Sequence, residues 1–77
     1  MTNETFNGFT NYETWNVALW IGNDEGLYDM ARDCRRYGYK VFADSLKEYG
    51  FFETPDGVSW NDSTLDIEEL DEMMAEL

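Results

Sequence analysis

Histidine is absent from this sequence, cysteine and proline occur once each, and only five of the 77 residues are basic. Each shortage removes a class of function. Without histidine the commonest general base and a common metal ligand are missing. Cys34 alone can form neither an internal disulfide nor a soft-metal site, which suggests a reducing, intracellular setting. No Gly-rich phosphate loop and no nucleophile with a neighbouring base is visible, so the usual acyl- and phosphoryl-transfer arrangements lack their parts. A glycosidase pair of carboxylates would need a deep cleft that a chain of 77 residues seldom builds. A calcium loop counted from Asp56 or from Asp62 fails the required spacing of oxygen ligands, Gly and Glu. The chain therefore reads as non-enzymatic, without cofactor or metal.

Long hydrophobic runs are also missing. The longest, Val17 to Ile21, is far short of the roughly 20 residues that cross a bilayer. The opening "MTNETFNGFTN" has neither a basic region nor an apolar stretch of the signal-peptide kind. A cytoplasmic protein with no membrane partner is expected.

What is present is apolar mass and negative charge. Hydrophobic residues make up 43% and aromatics 17%, enough for one core and one domain over residues 1–77, with 1–9 expected to be flexible. The formal net charge is −12, and it is unevenly placed: residues 1–31 carry −5, residues 32–47 carry +3 with all the bases, and residues 48–77 carry −10. Such a field repels nucleic acid and anionic lipid and favours encounters with basic surfaces. The bases Arg32, Arg35, Arg36, Lys40 and Lys47 are expected to offset neighbouring acids; a phosphate contact by "RDCRR" is the weaker reading.

Periodicity predicts a mainly α fold, a small bundle of three to four short helices. Thr10 with Glu13 fits a capping box, so a first helix should start there. Along it Tyr12, Trp15, Ala18, Leu19 and Gly22 share one face, Val17, Trp20 and Ile21 widen it, and Glu13, Thr14 and Asn16 are left for water. Trp15 and its neighbours are expected to seed the core, and Trp20 to contact a partner. "GNDEG" should stop this helix at Gly22 and cap the next at Asn23 or Asp24. Leu27, Met30, Ala31 and Cys34 then form one stripe, and Tyr39, Phe42, Ala43, Leu46 and Tyr49 another. Residues 24–49 read as one helix bent at Gly38 or as two; a break is favoured. "FFETPDGVSW" suggests a short β-hairpin before the last helix, with Trp60 as an anchor. The last helix, capped within Asn61–Ser63, should put Ile67, Leu70, Met73, Met74 and Leu77 inward.

Its other face is the leading candidate site. From Asp66 to Glu76 six carboxylates lie along roughly 15 Å of helix axis, a density approaching that of a nucleic-acid backbone. No Lys or Arg follows Lys47, whereas a merely solubilising face normally mixes both signs. Asp62, Asp66, Glu68, Glu69, Asp71, Glu72 and Glu76, together with Trp20, are the candidate partner-binding residues.

The string "GFTNYETWNVALWIGNDEGLYDMA", residues 8–31, resembles a motif of short, uncharacterised acidic proteins of bacteriophages and mobile elements. The resemblance implies a host-cell setting and inhibition of a host nucleic-acid-handling protein, such as a CRISPR effector or a restriction nuclease. With the charge map, it gives the leading expectation: a basic surface of such a protein is blocked by nucleic-acid-like charge, without direct binding of nucleic acid. The other expectation is an adaptor or homodimeric module working through the aromatic helix 11–22, with Val17, Trp20 and Ile21 between subunits.

Overall fold

A computed structural model describes residues 5–77 and shows four helices: α1 (Tyr12–Asn23), α2 (Glu25–Cys34), α3 (Tyr39–Glu48) and α4 (Ile67–Ala75). Helix α1 packs against α2 and α4, and α3 against α2 and α4, enclosing one core. Its centre is Val17 and Ile21 of α1, Tyr39, Phe42 and Leu46 of α3, and Leu70 and Met74 of α4, all at most 1% exposed. The expected inward face of the last helix is thus largely met. No helix of the described residues is long and apolar enough to cross a membrane.

Helix α1 starts one residue later than the capping-box reading places it. Asn11, in extended conformation, is the N-cap, and its side chain accepts the Thr14 main-chain N–H at 2.8 Å. The buried face is also rotated from the expected one. Thr14, Val17, Ala18 and Ile21 face inward at helical spacing, with Asn16 beside them, whereas Tyr12 is exposed and Trp15 half-buried. Thr14 and Asn16, expected in water, are fully buried because polar groups of the 54–66 segment meet them there. Trp15 instead joins Phe6 and Tyr12 in an aromatic cluster on the rim, with ring centroids 4.9 to 5.7 Å apart.

Gly22 lies within α1 and does not end it. The corner is made by Asp24, which is extended, terminates α1, and accepts the Leu27 N–H at 3.0 Å to cap α2. Residues 24–49 form two helices, as favoured, with Gly38 between them at φ 97°, a conformation that suits glycine. Glycine also brings no capping side chain, so a carboxylate from elsewhere fills the place: Asp71 of α4 accepts the Tyr39 N–H at 2.6 Å. Helix α3 ends in a Schellman motif, in which the Gly50 N–H reaches Lys47 O and the Phe51 N–H reaches Leu46 O. Tyr49, expected on the core stripe, lies past this end and is 71% exposed.

No hairpin forms before α4. Among the described residues no strand is present; residues 51–60 make a single antiparallel bridge between Glu53 and Ser59. The Thr54 side chain turns inward and uses its hydroxyl to accept the Val58 N–H and to bond Asn16, so the loop, closed by main-chain bonds from Thr54 to Val58 and from Trp60 to Phe52, is fastened to α1 without forming strands. Trp60 is an anchor nonetheless. It is 2% exposed, stands edge-on to Phe42, and its carbonyl accepts the Tyr39 hydroxyl at 2.6 Å. Burial there pushes the Tyr39 phenol well above its ordinary pKa.

Of residues 1–9, the first four lie outside the described residues, and a tight turn follows them. Phe6 and Phe9 exchange main-chain hydrogen bonds of 2.7 and 2.8 Å around Asn7 and Gly8, both at positive φ. The Asn-Gly pair gives the tight turn its left-handed residues.

Candidate functional site

The seven carboxylates from Asp62 to Glu76 do not form one uniform strip, because packing divides them by role. Helix α4 buries Leu70 and Met74, which fixes the direction of every other side chain on it. Glu68, Glu72 and Glu76 then point to solvent and recur at every fourth residue. They form a ridge with successive charges about 6 Å apart along the axis.

The other four are half-buried and bonded. Asp66 caps α4 by accepting the Glu69 N–H at 3.0 Å and accepts the Thr10 hydroxyl at 2.7 Å. Glu69 accepts the Thr10 N–H at 2.9 Å, and Asp71 caps α3. Asp62 closes a local turn by accepting from the Thr64 N–H and hydroxyl. Bonds from Thr10 and the Glu69 N–H lower the pKa of Asp66, and bonds from Thr64 lower that of Asp62. These groups stay ionised and add to the negative field while their lone pairs serve the fold.

Trp20 is half-buried against the core, and its Nε1–H donates to Asp56 at 2.9 Å. The same Asp56 oxygen accepts the Asn16 side-chain amide at 2.8 Å. The Asn16 and then the Trp20 bonds hold the Asp56 carboxyl below the usual range. Trp20 therefore clamps the 54–58 loop onto α1 and offers a partner only part of its ring.

The polar residues Asn11, Thr14 and Asn16 of the motif "NYETWN" have the same purpose. Asn11 caps α1 and donates its side-chain amide to Thr64 O at 2.7 Å; Thr14 accepts the Asp66 N–H; Asn16 holds Thr54 and Asp56. These residues fasten the first helix to the segment that precedes the last.

The basic island is split: Lys40 and Lys47 lie on α3, while Arg32, Arg35 and Arg36 at the end of α2 border an open depression together with Asp29 and Asp33. Arg35 Nη1 donates to the main-chain oxygen of Leu77 at 3.2 Å, tying α2 to the end of α4. Among the described residues no group of three or more cysteine, aspartate or glutamate side chains is placed to hold a metal ion.

One feature escaped the sequence reading. An apolar groove of about 740 Å³ opens between α2, the end of α3 and the 51–60 loop. Leu27, Met30 and Leu46 line it from the helices, and Tyr49, Phe51 and Trp60 from the connection that follows. The signal was the pair Phe51 and Phe52 after Gly50, outside any helical period, next to Tyr49, which periodicity assigns to a helical stripe.

No curated protein and no solved structure matches this chain. A family model described as a family of unknown function (DUF7249) matches residues 2–77, and the chain belongs to that family.

Proposed function

We propose that this protein is a non-enzymatic binding module of bacteriophage type that docks on a basic, nucleic-acid-binding surface of a host protein and competes with the nucleic acid for it. The observation that carries this reading is the ridge Glu68–Glu72–Glu76, exposed along a helix whose opposite side is locked in the core. The helix fixes the backbone that carries these charges, with Glu76 at its C-cap, so little backbone order is lost on binding. The ionised Asp62 and Asp66 beside it deepen the field without needing to touch the partner. A CRISPR effector or a restriction nuclease carries the kind of cationic channel such a surface fits.

The homodimer reading through α1 draws less support, since Val17 and Ile21 are already enclosed by the chain's own core and Trp20 is bonded to Asp56.

The test is capture from host lysate at about 50 mM salt followed by a wash at about 500 mM, where exposed charges are screened within a few ångströms. The partner should be released, and the triple variant E68Q/E72Q/E76Q should capture far less of it. A partner held equally well at both salt concentrations, or equally well by the triple variant, overturns the proposal.

A further inference from the structure

We infer that the groove between α2, the end of α3 and the 51–60 loop is a second docking site, and that its occupant is a basic amphipathic helix of a partner protein. This goes beyond the acidic ridge of α4 and does not depend on it.

The lining is apolar where a helix face would lie. Leu46 and Trp60 are buried at 0 and 2% exposure, while Tyr49 and Phe51 stand at the edge, 71 and 58% exposed. Aromatic side chains left this open next to an apolar depression are the usual anchors of an interface.

The charges lining the groove have one sign. Asp24 and Asp33 of the α2 side and Glu53 of the loop line it, all exposed, and no base does. An apolar partner with neutral or acidic flanks would gain the burial but lose from these carboxylates; one with Lys or Arg beside its apolar stripe gains from both. A helix fits better than an extended strand, because the loop's main-chain groups are partly spent on internal bonds, Thr54 N–H to Val58 O and Trp60 N–H to Phe52 O. A second copy of this chain is a poor occupant, since each carries −12.

The probe is a fluorescein-labelled 18-residue helix of leucine and lysine with leucines at i, i+3, i+4 and i+7, read by fluorescence polarisation. Controls are a Leu/Glu peptide and a Ser/Lys peptide of equal charge. The Leu/Lys peptide should bind at least tenfold more tightly than either control. Binding should weaken at least tenfold in Y49S/F51S, two exposed positions that leave the core intact, and change less than threefold in E68Q/E72Q/E76Q. Amide shifts on titration should centre on Leu27, Met30 and Phe51. Equal binding of the Ser/Lys peptide, or undiminished binding to Y49S/F51S with its circular dichroism unchanged, overturns the inference. So does concentration-dependent dimerisation that Y49S/F51S abolishes, which would assign the groove to a second copy. Loss of binding in the α4 triple variant alone would move the peptide to the ridge and overturn the groove while leaving the acidic-ridge reading standing.

Discussion

Thr14 and Asp66 stand 52 residues apart in the chain, and the Thr14 hydroxyl oxygen accepts the Asp66 main-chain N–H at 3.0 Å. Thr14 is fully buried, so water cannot replace it. Thr14→Val keeps the shape and removes the acceptor, and should cost about 1–2 kcal/mol, the usual penalty for orphaning a partly buried donor. Urea unfolding followed by tryptophan fluorescence measures it; an unchanged midpoint would mean that the bond adds nothing.

Neighbouring acids on α4 should behave in opposite ways. Asp71→Ala strips the carboxylate from the start of α3 and should cost about 1–2 kcal/mol, as the loss of a helix cap does. Glu72→Ala, on the exposed ridge, should change stability by no more than about 0.5 kcal/mol. Parallel thermal melts check the pair. Equal effects would show that the acids of this helix are not divided by role.

At Gly38 the backbone sits at φ 97°, and a Cβ built there would lie 3.2 Å from Asp71 Oδ1. Gly38→Ala should therefore destabilise by about 2 kcal/mol or more, through backbone strain and through displacement of the capping carboxylate. The double variant with Asp71→Ala should cost less than the sum of the two single changes, because both act on one contact.

Acid should act through Asp56. Its carboxyl titrates lower when folded than when unfolded, owing to the bonds from Asn16 and Trp20. The stability this supplies is complete above the unfolded value near pH 4 and is lost as pH falls through the lower folded value. Asp56→Asn carries no such charge. The gap between the wild-type and Asp56→Asn melting temperatures should be widest at neutral pH and close below about pH 4. A gap independent of pH would count against the linkage.

Helix number, the break at Gly38 and the buried side of α4 were legible because each is written in local pattern: apolar spacing, glycine, capping residues. The face of α1 was not. Its ring of large apolar residues let Trp15 and Tyr12 compete with Val17 and Ile21 for the interior, and bulk favoured the wrong pair. What decided the rotation was Thr14 and Asn16, whose partners Asp66 and Thr54 lie about 40 to 50 residues away and leave no local trace. The 51–60 loop misled for the same reason, since its cross-turn bonds stop at a single bridge and what fastens it is the bond from the Thr54 hydroxyl to Asn16 of α1, 38 residues away in the chain. In the candidate surface, the run of acids was visible, but helical geometry alone could not show that Asp66, Glu69 and Asp71 have their acceptors occupied. The groove was hidden because it is assembled from three segments, none of them unusual alone.

The tie between α1 and residues 54–66 bears on the order of events during synthesis. The first helix emerges early with Thr14 and Asn16 on the side that must become its interior, and their partners do not yet exist. Until Thr54 and Asp66 have been made, burying that side would strand its polar groups, so a native core cannot close around α1 alone. The native surroundings of the first helix are therefore complete only once the segment that precedes the last has been made.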